Sequence, residues 1–598
     1  MGKIVKKRNE IDEKYKWDLS RMYENKEMWG NDYDKLKEEV SKFEKYEGHI
    51  LDSAASLKET LDVYYELESK LEKVYVYASC SFSTDIGDKI GQELSSKAKD
   101  LFSYFTSKTA FMIPEILESS YEKIKEYEKE VKDLEKYDII LKRLFKEKKH
   151  ALSKENEQLF SELYSSIANF EQSSSYIRDK IMKFGKIKDE EGKEVELTST
   201  NYALFMKSKD RSVRKEAYEK TKNVYEEFND SLACNYIGHI RYTELEAKMR
   251  NYKNVLEADL ESINLPKSVF ESLKEATHEY LNVYKKEFEM TKAILNVDVL
   301  EPYDLSAPHF DEETDYSFEE AKDIILDMTE IYGKEYQEFA TSIFENRWVD
   351  VFSNQNKKNT WYQGGSYLTY PVIFANFFSK YVDVSALAHE LGHAVHTIYS
   401  MKNNPYFLYE EPLFLSEVAS LTNEMLLAKH LLKKITNKKQ KLEILNTMIS
   451  TFSSNYFDGV KGAEFEYKAH QLVEENRPIN AEVLNQIWTD LSLYYTSNIV
   501  SNPNPYTWSK IPHFFTDFYY YKYATGAAIA MYLSDKILNG TELDKEKFIN
   551  FLKLGNRLDP VDALKVAGVD ITDKNVYKEA ILSYEKLLDD YINIYNSL

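Results

Sequence analysis

The chain has 598 residues, of which 43% are hydrophobic, 14% aromatic and 30% charged; it is too long for one small core and too rich in apolar side chains for disorder to dominate. Its 18 Gly and 12 Pro come to about 3% and 2%, against typical values of roughly 7% and 5%, which excludes a β-sandwich or barrel with its many turns and favours long helices. Acids outnumber bases 101 to 79, a net charge of −22, and that balance argues against nucleic acid as a partner.

The opening segment, MGKIVKKRNEIDEKYKW, has no apolar core after its basic residues and does not read as a signal peptide. Lys6 stands where a myristoylation signal needs Ser or Thr. Residues 17–180 then read as helix after helix, with apolar residues at spacings of three and four, as in Leu57, Leu61, Tyr64, Leu67, Leu71 and Val74. Cys80 and Cys234 lie far apart in no metal or redox spacing, which fits a reducing compartment. The period changes at KFGKIKDEEGKEVELT, where alternation around Asp189-Glu190-Glu191-Gly192 signals a hairpin. A boundary is placed here, dividing the chain into an N-terminal helical domain, 1–195, and a domain that carries the chemistry, 196–598. A second change comes at 347–378, rich in aromatic and β-branched residues and holding Gly364-Gly365; it reads as a small sheet. From 384 onward the pattern is helical again. The longest apolar runs, PVIFANFF and ATGAAIAMYL, fall short of the ~20 residues that span a bilayer. The fold class is therefore mainly α, with one small sheet beside the chemical segment, in a cytoplasmic protein with no membrane partner.

His389-Glu390-Leu391-Gly392-His393 is an HExxH match. Residues four apart on a helix lie about 40° apart around the axis and about 6 Å along it, so two imidazoles so placed converge on one Zn²⁺. Glu390 leans to the side of the pair, where it can reach a water on the metal without ligating it; a metal-assisted hydrolase needs that arrangement. Asp383 or Ser385 can cap the helix start, and ALAHELGHAVHTIYSM reads as a buried helix that stops before Asn403-Asn404-Pro405. A third ligand is needed, leaving one position for water. The metzincin position for a third His is Tyr399, and the short-spaced glutamate positions are Pro412 and Leu413, so both patterns are excluded. Glu417 follows His393 by 24 residues in FLSEVASLTNEMLL and is assigned as the third ligand, with Glu410, Glu411 and Glu424 as competitors. Glu424, two turns further on the same face, is assigned as an acceptor for a ligand histidine. His396 lies on the same stripe as His393 and either orients the site or packs.

HELGHAVH followed by SEVASLTNE resembles oligoendopeptidase F, of the thimet-oligopeptidase group of zinc peptidases. Tyr15-Lys16-Trp17-Asp18-Leu19-Ser20, Tyr303-Asp304-Leu305 and IPHFFTDFYYYKYATG resemble further segments of that family, over residues 15–590. The resemblance implies two helical lobes around a deep channel, with zinc at its floor and entry limited to short, unfolded peptides. It implies one Zn²⁺ per chain on His389, His393 and Glu417, with Glu390 as base. It also implies that the C-terminal motif supplies oxyanion and substrate contacts. His513 and Tyr523 match a His and Tyr ten apart in the distantly similar angiotensin-converting group. Tyr520 is the competing tyrosine. On one continuous helix that spacing would turn His513 and Tyr523 about 80° apart, an objection that lapses where His513 sits in a loop after Pro512. An extended peptide is expected to pair with an edge strand near 364–376; Gly364 and Gly365 either admit its backbone or form a tight turn. The expected function is a zinc metalloendopeptidase of short oligopeptides. The rivals are a zinc carboxypeptidase or dipeptidyl carboxypeptidase and, in another class, a non-catalytic helical peptide-binding protein.

Overall fold

In the computed structural model, 71% of residues are helical and 3% lie in strands, so the molecule is mainly α. The model describes residues 6–310 and 314–598; residues 1–5, at the head of the segment read for a leader or lipid signal, lie outside them. Among the described residues no helix is long and apolar enough to cross a membrane. The chain forms two compact units, each gathered from three stretches of sequence.

The first unit comprises Met1–Lys149, Thr314–Leu431 and Leu533–Gly568. Its longest helix, Ala54–Thr84, starts where the Ser53 hydroxyl accepts the Ser56 N–H at 3.1 Å, a side-chain cap for an otherwise unpaired donor. Leu57, Leu61, Leu67, Leu71 and Val74 are buried on one face, and the helix packs on Lys89–Thr109. Their apolar cluster runs through Trp17 and Trp29 to Val372 and Phe374 of a small sheet, with the Trp17 and Phe374 rings 5.4 Å apart.

That sheet has three short strands: β1 (Val349–Asp350), β2 (Tyr362–Gly364) and β3 (Val372–Phe374). Central β3 pairs parallel with β1, Val349 opposite Ile373, and antiparallel with β2, Gly364 opposite Val372. β2 is thus an edge, and the edge available to a partner is 362–364 rather than the whole of 364–376. Beneath β1, Asp350 is fully buried between Lys357, 2.7 Å away, and Arg8, whose Nη1 donates at 2.7 Å. Burial pushes the Lys357 ammonium down to about 8 against the pull of Asp350, and its Nζ also donates to the Phe352 carbonyl at 2.9 Å. A charge this deep needs such full pairing. Two helices of this unit carry the HExxH motif and Glu417: α1 (Tyr381–Asn403) and α2 (Leu413–Lys434). α1 packs against β2 and β3.

The second unit comprises His150–Glu313, Leu432–Tyr532 and Val569–Leu598. The expected hairpin is present: Lys186–Lys188 pairs antiparallel with Glu194–Glu196, and Gly192 takes φ +78° at its turn, a conformation that suits glycine. The units do not follow the single division read at residue 195. The physical reason is packing: Ile187 and Leu197 of the hairpin region share a core with Met206, Val213 and Tyr225, so residues on both sides of 195 bury the same apolar surface. The spine of this unit is the 37-residue helix Lys438–Glu474, packed against Asn229–Met249 and Lys574–Tyr595.

Candidate metal centre

α1 begins with a carboxylate cap. Asp383 accepts the Lys380 N–H and the Phe378 N–H, each at 2.9 Å. Ser385, the other candidate cap, instead donates its hydroxyl to Glu424 at 2.9 Å. The helix ends at Asn403, where the sequence places its stop. Its middle crosses α2 at Gly392: a Cβ there would meet Ser420 Cα at 2.7 Å and the Ala419 carbonyl at 2.9 Å. Only a residue without a side chain allows this approach, and it brings two ligand-bearing helices together.

At the crossing, His389 Nε2 and His393 Nε2 stand 3.2 Å apart. Glu417 Oε2 lies 3.3 Å from the first and 3.6 Å from the second. Among the described residues this trio is the one group of three His, Cys, Asp or Glu side chains whose ligand atoms lie mutually within 4.8 Å. Of the competing carboxylates, Glu410 accepts from the Tyr409 hydroxyl at 3.2 Å and Glu411 lies 3.6 Å from His396. Glu424 takes His389 Nδ1 at 2.6 Å, which leaves the Nε2 lone pair directed at the other two ligand atoms. Glu417 is itself steadied by the Ser420 hydroxyl at 3.2 Å. Asn423 ties the helices together, donating to the Ala388 carbonyl at 3.2 Å and accepting from the Tyr332 hydroxyl at 2.9 Å.

The electrostatics are those of a cation site. Burial would lower the His389 pKa, but hydrogen bonds to Glu417 and Glu424 outweigh it and raise the value to about 10. Burial would raise Glu417, but the two imidazoles hold it well below the usual carboxylate range. The donor set of two imidazoles and a carboxylate, with a tautomer fixed from behind, fits Zn²⁺. Glu390 is 6% exposed; its pKa is raised by burial against the pull of His389 and His393, as suits a base that must hold and release a proton.

His396 is 1% exposed, and its Nδ1 has no hydrogen-bond partner. Its ring packs 5.5 Å from Phe551, and burial lowers its pKa. It packs in the core, 3.6 Å from Glu411. The two glycines differ. A Cβ on Gly365 would strike the Tyr370 carbonyl at 2.9 Å, whereas one on Gly364 would meet only the Tyr362 ring at 3.5 Å. Gly365 therefore abuts the Tyr370-Pro371 backbone, and Gly364 lies on the edge strand β2. Both line a cavity of about 440 Å³ with Thr397, Glu410, Glu411 and Ser416, the last next in sequence to Glu417.

His513, Tyr520 and Tyr523 belong to the second unit. His513 sits in a short 3₁₀ turn, Pro512–Phe515, and the following helix starts at Tyr520, so the two lie on separate elements and the spacing objection lapses. The imidazole stacks on Tyr519 with centroids 5.8 Å apart and meets the edges of Tyr520 and Tyr523 at 5.9 and 5.8 Å. Tyr520 lies on Gly462, where a Cβ would strike its ring at 2.4 Å, and packs on Phe514 at 5.3 Å. The turn after His513 is pinned by a buried chain of charges that the sequence reading missed. Asp517 accepts from His239 at 2.9 Å and lies 3.4 Å from His470, which is held from its other nitrogen by Glu244 at 2.9 Å. Glu244, His470 and Asp517 are scattered over 274 positions, so only the folded chain reveals them.

Known proteins resemble this chain in sequence and in fold. Residues 204–582 match the model of peptidase family M3, and residues 115–184 match the oligopeptidase F model. The chain is 32% identical to oligopeptidase PepF of Bacillus subtilis, over 98% of this chain and 88% of that one. It is 32% identical to group B oligopeptidase PepB of Streptococcus agalactiae, over 98% of each. The structure of oligoendopeptidase-F from Enterococcus faecium superposes with a TM-score of 0.74 at 27% identity, covering 95% of this chain and 99% of that one. The chain is a peptidase that belongs to family M3, alongside oligoendopeptidase F.

Proposed function

We propose that this peptidase is a zinc-dependent endopeptidase of short oligopeptides, with one Zn²⁺ held by His389, His393 and Glu417. The observation that carries the reading is the convergence of those three ligand atoms beside buried Glu390. When bound, Zn²⁺ supplies Lewis-acid charge and lowers the pKa of water.

The chain's own residues do the rest. Glu390 takes a proton from the attacking water and delivers it to the leaving amine nitrogen. Glu424 and Ser420 keep His389 and Glu417 in place. Tyr523 and His513 donate to the oxyanion that develops on the scissile carbonyl. Tyr520, its ring committed to Gly462 and Phe514, is the weaker candidate for that role. The open edge of β2 pairs with the extended peptide, with Gly364 admitting its backbone. The names of the curated relatives, oligopeptidases, support short substrates. The two cysteines are unpaired, which supports a reducing, cytoplasmic setting.

The test is an internally quenched peptide with an amidated C-terminus. An endopeptidase cuts it, whereas a carboxypeptidase or dipeptidyl carboxypeptidase does not. Glu390→Gln is expected to keep its zinc and lose turnover by about 10²–10⁴-fold; cleavage at the wild-type rate would remove Glu390 from the role of base.

A further inference from the structure

The second unit holds a cavity of about 440 Å³ that the proposed chemistry does not use. Its volume falls within the roughly 300–1,000 Å³ of small-molecule sites. Its walls carry Lys207, Lys461 and Lys510 and, among the described residues, no Asp or Glu. That is a sharp local reversal in a chain where acids exceed bases 101 to 79. Tyr202, Tyr218, Trp488 and Pro302 add flat apolar surface to the walls, beside neutral polar groups such as Asn504.

Lys510 is the distinctive member. Its ammonium lies 4.9 Å from the Tyr225 ring centroid and 5.2 Å from that of Tyr202. Among the described residues no carboxylate pairs with it, unlike Lys461, which bonds Asp458 at 2.7 Å. Burial alone pushes the Lys510 ammonium down to about 8. Two further lining residues hold unused donors. Asn504 is 4% exposed and its Nδ2 has no partner, and the buried Tyr218 hydroxyl has none either. Unpaired buried donors are costly and call for an explanation; a bound anion supplies one.

We propose that this cavity binds a small organic carboxylate, its anionic end on Lys510 and its apolar body between Tyr202, Tyr218 and Trp488. The aromatic walls select a flat apolar body, and the Lys510 ammonium, buried with no carboxylate beside it among the described residues, selects an anionic end. Lys510 is three residues before His513 and closes the 3₁₀ turn Thr507–Lys510, so the ligand would bear on the segment that carries His513. The proposal does not depend on the zinc reading, because all its residues lie in the second unit and its readout is local.

The test uses the full-length protein and the probe N-acetyl-L-phenylalanine. Lysines are acetylated at pH 8 with sulfosuccinimidyl acetate, and the rate at Lys510 is read by peptide mass spectrometry, with Lys334 as an exposed reference. The probe is expected to slow modification of Lys510 at least fivefold and leave Lys334 unchanged. The neutral N-acetyl-L-phenylalaninamide should protect at least tenfold less well. By calorimetry, Lys510→Met should weaken binding tenfold or more while Lys510→Arg stays within threefold of wild type. A preference for the probe over 3-phenylpropionate would assign the terminal residue of a peptide as the source, and equal affinity a free organic acid. Equal protection by the amide, equal protection by inorganic phosphate, or undiminished binding in Lys510→Met would overturn the proposal. Because the protection assay runs on the wild-type chain, a variant that fails to fold does not shield the proposal from refutation.

Discussion

Gly392→Ala is the smallest change that tests how the candidate metal centre is built. The added Cβ would lie 2.7 Å from Ser420 Cα, 2.9 Å from the Ala419 carbonyl and 3.0 Å from Ser420 N. All three are backbone atoms of α2, so no flexible side chain can yield. Restoring ordinary contact at about 3.5–4.0 Å requires α1 and α2 to part by roughly 1 Å. Overpacking of this kind costs about 1–3 kcal/mol of stability. The greater loss falls on the metal, because His389 and His393 ride on α1 and Glu417 on α2, and ligand distances hold only within about 0.2 Å. Zinc affinity should fall by about 10–100-fold, the scale seen when a supporting contact is lost. The assays are chemical denaturation and zinc competition against a chromogenic chelator. Gly364→Ala is the control, since its Cβ would meet only the Tyr362 ring at 3.5 Å, and it should change neither quantity. If Gly392→Ala bound zinc as tightly as the wild type, the contact between the two helices would not be what sets the ligand geometry.

Three other outcomes follow from the same structure. Glu424→Ala removes the acceptor of His389 Nδ1 and should lower zinc affinity about 10–100-fold with Glu417 intact, measured by the same competition. Tyr523→Phe should lower kcat by about 10²–10³-fold if it donates to the oxyanion, while Tyr520→Phe, which keeps the ring over Gly462, should stay within about tenfold; steady-state kinetics on both variants would expose a reversed assignment. Burial raises the Glu287 pKa from 4.5 to about 7 despite a hydrogen bond from Tyr584. A raised folded-state pKa gives stability that is present below the unfolded pKa and lost as pH climbs through the folded one. From pH 4.5 to pH 8 the wild type should therefore lose about 2–3 kcal/mol that Glu287→Gln does not, read from denaturation midpoints at both pH values.

The helical character and the place of the candidate metal centre were legible because both are written locally. The heptad-like stripe from Leu57 to Val74 and the HExxH spacing each depend on one helix, and one helix obeys a fixed period. Glu417 needed only a second helix and a count. Tertiary pairing was not legible. Glu244, His470 and Asp517, or Arg8, Asp350 and Lys357, look like ordinary surface charges in sequence, and only folding removes them from water and forces them together. His396 lies on the same stripe as His393, and that its ring packs against Phe551 is seen only in the folded chain. The division at residue 195 rested on a change of period, and a hairpin changes the period without ending a core.

Glycine use ties these observations together. With only 18 glycines in the chain, two stretches that carry candidate functional residues each spend them at a helix contact. Gly392 lets α1 meet α2. Gly459 and Gly462 let the helix that starts at Tyr520 lie on Lys438–Glu474, where added Cβ atoms would meet Ala524 Cβ at 3.1 Å and the Tyr520 ring at 2.4 Å. Glycine inside a helix costs about 1 kcal/mol relative to alanine, and a chain so sparing of it gains nothing from that cost by propensity. The return is position: bare backbone lets a neighbouring helix or ring approach closely, and close packing fixes what lies beside it. The same reasoning separates Tyr520 from Tyr523. The ring that fills the hollow left by Gly462 is the one the contact holds, whereas Tyr523, one turn on, meets His513 and Tyr519 at 5.8 and 5.0 Å.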